Sequence, residues 1–144
     1  MHSRTRGYLP HIVQPKSIYF VTFRLADSLP ASFLLQCKEK AHSKWLAGSA
    51  KTMSYQYQKA VQEHLDKSHG QCWLKKAEIA SIVNNAIRYF NNQRYELFAW
   101  TIMPNHVHVL FRLLKDASLS SILHSWKSFT AHEANRVLAR TGEF

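Results

Sequence analysis

Hydrophobic residues recur along this chain with two different periods, and the period changes at identifiable breaks. Residues 17–25 are dense in β-branched and aromatic side chains and are closed by a turn that ends at Pro30, which predicts a first strand. Residues 32–46 carry apolar side chains at helical spacing, and Gly48 stands where a C-terminal cap belongs. Residues 49–70 are polar with a weaker apolar pattern, so they predict either a second helix or an excursion from the core.

The second half of the chain carries stronger patterns. Residues 77–90 place their apolar side chains on one stripe and predict an amphipathic helix. Residues 95–102 and 106–114 predict two strands, and Pro104 fixes the turn between them because it cannot donate a ladder hydrogen bond. Ser118 is a candidate N-cap of a long final helix. The apolar face of that helix consists of Leu119, Ile122, Leu123, Trp126, Phe129, Ala134, Val137 and Leu138.

The predicted order of elements is strand, one or two helices, strand, strand, helix. This order favours an α+β fold of the ferredoxin-like (split βαβ) kind, with an antiparallel sheet, helices packed on one face and the other face open. A chain of 144 residues fits one domain, so we expect residues 1–144 to form a single domain.

Composition narrows the class of partner. Lysine and arginine number 19 against 9 acidic residues, a formal charge of +10, which predicts a polyanionic partner. Cys37 and Cys72 form no CxxC pattern, so a disulfide framework and a thiolate zinc site are both poorly supported. The basic N-terminus is not followed by an apolar run of signal-peptide length, and no other run approaches the length of a membrane span. We therefore expect a soluble, cytoplasmic protein without a membrane partner.

The predicted final strand places two histidines on one side. Because side chains alternate along a strand, His106 and His108 share a face with Arg112, while Val107 and Val109 point to the core. Their Cα atoms would be about 7 Å apart, close enough for both imidazoles to reach one metal ion. Two nitrogens leave most coordination positions to water and phosphate oxygens, as metal-assisted phosphoryl transfer requires. The alternative is that both histidines are simply solvated on the polar face of the strand.

The residues around this pair carry a family resemblance. Residues 99–110, Ala-Trp-Thr-Ile-Met-Pro-Asn-His-Val-His-Val-Leu, resemble the His-hydrophobic-His motif of the single-tyrosine HUH transposases, and especially that of the REP-associated tyrosine transposases. Further stretches resemble the same family in the same order: 19–25, 65–74 with Gly70 and Cys72, Arg94-Tyr95, and 119–135 with Trp126-Lys127-Ser128-Phe129-Thr130. The resemblance covers nearly the whole chain.

The resemblance implies an enzyme that cleaves and transfers single-stranded or hairpin DNA during transposition. In that family the histidine pair holds Mg²⁺ or Mn²⁺ against the scissile phosphate, which assigns His106 and His108 as metal ligands and catalytic residues. A tyrosine on a later helix attacks to form a 5′-phosphotyrosine link, and the same helix region supplies a third, polar ligand. The matching region of this sequence stops at Phe144, so the expectation is a chain truncated before that tyrosine, with doubtful activity.

Three basic residues are candidate DNA contacts. Arg112 shares the histidine face, Lys127 lies on the polar side of the last helix, and Arg24 ends the first strand. Each is alternatively a generic surface cation. A second function class also stays open: a non-catalytic nucleic-acid-binding module, or transposase remnant, that holds single strands on the open sheet face.

Overall fold

The computed structural model describes residues 2–5, 10–13, 17–46, 50–114 and 117–144. The strands in these ranges are β1 (His2–Thr5), β2 (Pro10–Val13), β3 (Ile18–Arg24), β4 (Tyr95–Ile102) and β5 (His106–Leu113). The helices are α1 (Ala31–Leu46), α2 (Ala50–Asp66), α3 (Ala77–Tyr89) and α4 (Leu119–Val137), with a 3₁₀ turn at Trp73–Lys75.

The main sheet has three strands, with β5 between β3 and β4 and antiparallel to both. β3 and β4 are therefore parallel to each other, and the chain between them contains α1, α2 and α3. Two parallel strands with a third strand inserted between them form the split βαβ arrangement. The predicted α+β class is confirmed, and the histidine strand is the central strand of the sheet.

One face of β5 forms the floor of the hydrophobic core. Alternate residues of this strand are almost completely buried: Val107, Val109, Phe111 and Leu113. The apolar stripes of α3 and α4 cover them. The buried residues of these two helices are Ile79, Val83, Ala86, Ile87, Leu119, Ile122, Trp126 and Ala134. Burying one face of the strand fixes its register, because a slip by one residue would turn the histidines into the core.

Tyr95 connects the sheet to both core helices. Its ring is fully buried, its hydroxyl donates to the Ile87 carbonyl at 2.6 Å, and it accepts from the Trp126 indole N–H at 3.0 Å. Burial raises the pKa of the Tyr95 phenol, and the hydrogen bond from Trp126 partly offsets the rise. The start of β4 is thus fixed by polar bonds as well as by packing.

A tight loop after α2 approaches the turn that follows β3. Gly70 has φ +89°, and a Cβ atom at this position would meet Asp27 at 2.8 Å, so only glycine fits. The Gln71 backbone N–H donates to the Asp27 carboxylate at 2.7 Å. This contact holds the end of α2 beside the sheet.

Most of the predicted elements are present. The first strand, the helices from residues 32 and 77, the hairpin and the final helix are confirmed, and Ser118 accepts from the Ser121 backbone N–H as its N-cap. The alternatives for residues 49–70 resolve in favour of a helix, α2. The antiparallel pairing of β1 with β2 was not predicted from the sequence. Gly48, the predicted cap, lies outside the described residues.

Among the residues that the structure describes, no helix is both long enough and apolar enough to span a membrane.

Candidate metal centre

His106 and His108 lie next to each other on the face of β5 that is turned away from the core. In register they stand beside Arg24 and Thr22 of β3, and His108 also stands beside Thr101 of β4. His106 has no exposed surface and His108 is half-buried. The interpretation of the pair as simply solvated side chains therefore does not describe His106.

The two imidazoles point their Nε2 atoms at each other. These atoms are 3.1 Å apart, while the Nδ1 atoms face hydrogen-bond partners on the other side of each ring. His106 Nδ1 lies 2.8 Å from the Asn105 side-chain carbonyl oxygen, to which it donates, and His108 Nδ1 lies 2.7 Å from the Thr22 hydroxyl. A neutral imidazole that donates through Nδ1 carries its lone pair on Nε2. His106 thus carries its lone pair on Nε2, and His108 does the same when its Nδ1 donates to the Thr22 hydroxyl.

Burial favours the neutral form of both rings by lowering their pKa values. Desolvation lowers the pKa of His106, and the neighbouring His108 lowers it further, whereas Asp66 acts in the opposite direction. Desolvation also lowers the pKa of His108, and the Asp66 carboxylate again acts in the opposite direction. Because a metal ion competes with a proton for an imidazole nitrogen, a lowered pKa favours cation binding over protonation.

Asn105 fixes the orientation of His106. Its amide is fully buried, and its Nδ2 donates to the His69 backbone carbonyl at 3.0 Å. With the amide nitrogen engaged there, the amide oxygen faces His106 Nδ1. Partners of this kind set the tautomer and the ring orientation of metal-binding histidines.

The end of α2 covers the histidine pair, a contact that the sequence pattern does not predict. Gln62 Nε2 lies 3.3 Å from His108 Nε2 and 3.5 Å from His106 Nε2. Asp66 Oδ1 lies 3.8 Å from His106 Nε2 and accepts from Gln62 Nε2 at 2.7 Å. Buried Leu65 anchors this turn of the helix. The only signal in the sequence is the spacing of four residues between Gln62 and Asp66, which puts both on one helix face.

Some of the donor atoms near the histidine pair suit a hard divalent cation. Two imidazole nitrogens bind Mn²⁺, and an amide oxygen or a carboxylate is a ligand type that Mg²⁺ and Mn²⁺ prefer. Within the described ranges, however, no three His, Cys, Asp or Glu side chains are already gathered closely enough to hold an ion together. The pair is therefore a two-nitrogen site with further donors close by.

Two of the three predicted DNA-contact residues lie close together. Arg24 and Lys127 both line a cavity of about 380 Å³ that also reaches Thr22, the hydrogen-bond partner of His108. The Arg24 guanidinium also donates to the Leu25 carbonyl and to the Ser28 hydroxyl, which fixes its position. A cationic cleft therefore opens beside the histidine pair.

Arg112 lies apart from this cleft. It is on the histidine face but four residues beyond His108, about 13 Å along the strand. Its guanidinium forms an ion pair with Glu96 and stands over the Phe98 ring at 5.8 Å. Its charge is therefore partly neutralised within the protein.

An exposed aromatic ring stands beside His108. Phe20 of β3 is 67% exposed, and its ring stacks on the His108 ring with a centroid distance of 5.3 Å and an interplanar angle of 17°. Phe98 of β4 is 43% exposed further along the sheet. Exposed rings on a sheet face are surfaces on which nucleic-acid bases stack.

Comparison with known proteins identifies the family. The model of the IS200-like transposases matches residues 65–143, more than half of the chain, and the matched region includes the end of α2, the hairpin with both histidines, and α4. No curated protein and no solved structure matches the chain significantly. Transposases act on DNA, which agrees with the charge of +10 and the cationic cleft. The chain belongs to the IS200-like transposase family.

Proposed function

We propose that this domain binds single-stranded or hairpin DNA and positions a phosphodiester for metal-dependent cleavage and strand transfer, as a transposase of the REP-associated kind. The observation that carries the proposal is the convergence of the His106 and His108 Nε2 atoms, 3.1 Å apart, with both Nδ1 atoms engaged elsewhere. With both rings protonated at Nδ1, two lone pairs face each other, and a shared cation relieves their repulsion.

His106 and His108 would hold Mg²⁺ or Mn²⁺. When bound, the ion polarises a phosphate oxygen and offsets charge that develops during transfer. The residues of the chain supply the rest: Asn105 and Thr22 keep both rings in the tautomer that presents Nε2. Arg24 and Lys127 attract the DNA backbone into the neighbouring cleft, and Arg112 provides a weaker, outlying contact.

The positions of the described tyrosines argue against a nucleophile among them. Tyr95 is buried with both hydroxyl bonds in the core, and Tyr19 packs near Phe111 on the core side of β3. Tyr89 ends α3, and α3 packs on the core face of the sheet, which is opposite the histidines. Tyr55 and Tyr57 precede Gln62 by seven and five residues, about 10 Å and 7.5 Å along α2. Tyr8 lies outside the described residues.

None of the described tyrosines that these positions argue against is assigned as the attacking nucleophile. We therefore propose that the 144-residue chain binds hairpin DNA with Mn²⁺ and forms no covalent adduct. A denaturing gel with end-labelled hairpin DNA tests this point. A covalent band formed by the 144-residue chain would contradict it, and substitution of each tyrosine by phenylalanine would then identify the nucleophile.

Calorimetry with Mn²⁺ tests the metal assignment directly. We expect weak binding by the wild-type chain and none by the His106→Ala, His108→Ala double variant. His132→Ala is the matched control, because His132 is a surface histidine of α4 with a side chain that is 79% exposed. Since His106 is buried, the single variant His108→Ala guards against misfolding, and circular dichroism checks each protein. Equal Mn²⁺ binding by the double variant and the wild type would refute the assignment.

A non-catalytic nucleic-acid-binding module is the second candidate. The exposed Phe20 ring, stacked on His108, favours it, because base stacking needs no metal. Hairpin affinity that is unchanged by chelation of divalent ions and lowered by Phe20→Ala would support this function. Affinity that rises with Mn²⁺ in the wild type alone would support the metal-dependent enzyme.

A further inference from the structure

The side-chain amide of Gln62 lies among a carboxylate oxygen and two imidazole nitrogens, all of which accept hydrogen bonds when both rings carry their proton on Nδ1. Its Nε2 is 2.7 Å from Asp66 Oδ1, 3.3 Å from His108 Nε2 and 3.5 Å from His106 Nε2. An amide nitrogen carries two hydrogens, so it satisfies at most two acceptors well. Three acceptors around one position stabilise a positive charge there more strongly than they stabilise a neutral amide.

The separations of these acceptors are close to those around a small divalent ion. Ligands at about 2.1 Å from an octahedral ion, at right angles to each other, are about 3.0 Å apart. The two Nε2 atoms, 3.1 Å apart, already match that value. Asp66 Oδ1 is 3.8 Å from His106 Nε2, so the carboxylate has to approach by less than the length of one bond.

The carboxylate is free to make that movement. Asp66 is the last residue of α2, and its side chain is 55% exposed, so rotation of the side chain meets little packing. The movement needs no shift of the helix turn, in which Leu65 is buried. The hydrogen bond from Gln62 is what holds the carboxylate in its present position.

We propose that Asp66 is the third protein ligand of the metal and that the Gln62 amide takes the place of the cation until the cation binds. This inference rests on the proposed function of the histidine pair. Binding displaces the Gln62 side chain, and Asp66 then closes a site of two histidines and one carboxylate. Such a site binds hard divalent ions and leaves open positions for phosphate oxygens.

The resulting site is formed by two parts of one chain. The histidines come from the hairpin, and the carboxylate comes from the helix that precedes it in the sequence. The proposed protein ligands all lie within residues 66–108.

Titration of the full 144-residue chain with Mn²⁺ alone, without DNA, tests the inference by calorimetry and by the electron paramagnetic resonance signal of free Mn²⁺. We expect Asp66→Asn to weaken binding about tenfold or more, because a charged ligand becomes a neutral amide. Glu63→Gln is the matched control: it removes the same charge from the same helix, but Glu63 pairs with Lys59 and is 64% exposed. Its affinity should stay within about twofold of wild type, since exposed charges are screened.

Gln62→Ala tests the second half of the inference. Removing an amide that competes for the cation's position should strengthen Mn²⁺ binding severalfold. Weaker binding by this variant would show that Gln62 is itself a ligand and would overturn its role as a substitute for the ion.

The outcomes separate the two proposals. If Asp66→Asn binds as the wild type does, or loses no more affinity than Glu63→Gln, the third-ligand assignment is overturned while the histidine pair stands. If the wild type binds no Mn²⁺, or the double histidine variant binds it equally well, the proposed function fails. Asp66 is exposed, so Asp66→Asn should keep the fold, and circular dichroism verifies this.

Discussion

Replacing Thr22 by valine tests whether the tautomer of His108 is set from the neighbouring strand. The Thr22 hydroxyl lies 2.7 Å from His108 Nδ1, and valine keeps the shape and the strand preference while it removes that oxygen. Without the bond, nothing holds the Nδ1 proton, and the ring can place its proton on Nε2 instead. In that tautomer the His108 lone pair lies on Nδ1 and not on the Nε2 atom that faces His106.

The structure sets the size of this effect. A net hydrogen bond is worth about 1 kcal/mol, which corresponds to about fivefold in affinity. Losing a partner of a metal-binding histidine costs about 10- to 100-fold where that partner is enclosed. Thr22 is exposed, so water can replace the hydroxyl. We therefore expect a loss of about fivefold in Mn²⁺ affinity.

Thr101→Val is the matched control. Thr101 flanks His108 on the opposite strand, but its hydroxyl faces the Met103 sulfur at 4.0 Å and not the ring. Calorimetry with Mn²⁺ at neutral pH measures both variants, and the nitrogen chemical shifts of the His108 ring report its tautomer. Equal affinities for the two variants, with an unchanged tautomer, would refute the reasoning.

Three further predictions concern the core and the DNA-binding surface. Tyr95→Phe should lower the free energy of unfolding by about 1 to 3 kcal/mol in urea denaturation, because it leaves the buried Trp126 N–H without an acceptor. The raised pKa of Tyr95 contributes stability that is present below pH 10 and is lost as the pH rises above 10, so this loss should be smaller in Tyr95→Phe; an equal alkaline loss would contradict the assignment. Lys127→Glu should weaken hairpin binding more than Arg112→Glu, since Glu96 already neutralises Arg112, and equal effects in a fluorescence anisotropy titration would count against the cleft. The wild-type affinity should fall steeply with salt, as counterion release requires.

The histidine pair could be predicted from the sequence because it depends only on local geometry. Side chains of a strand alternate, so the separation of two residues puts His106 and His108 on one face wherever the strand lies. Val107 and Val109 alternate with the two histidines, which also identifies the face of the strand that is buried. The fold class followed from the same kind of information, the order and the period of the elements.

The surroundings of the pair depend on tertiary contacts that no local pattern contains. Gln62 meets His106 across 44 positions of sequence, and only the packing of α2 brings them together. The pairing of Arg112 with Glu96 lies beyond a register shift between Leu97 and Ala99, which a regular alternation does not reveal. Strand periodicity therefore located the histidine pair but not the groups that surround it.

β5 and the last turn of α2, which together form the site, should differ in how readily they open locally. β5 has hydrogen-bonded neighbours on both sides, so its amides should exchange with solvent only when the whole domain unfolds. The last turn of α2 has a single buried anchor in Leu65 and ends in a loop, so it can open and close while the sheet remains intact. We therefore expect a cation to enter and leave when the helix end opens locally, at a rate that does not depend on global unfolding.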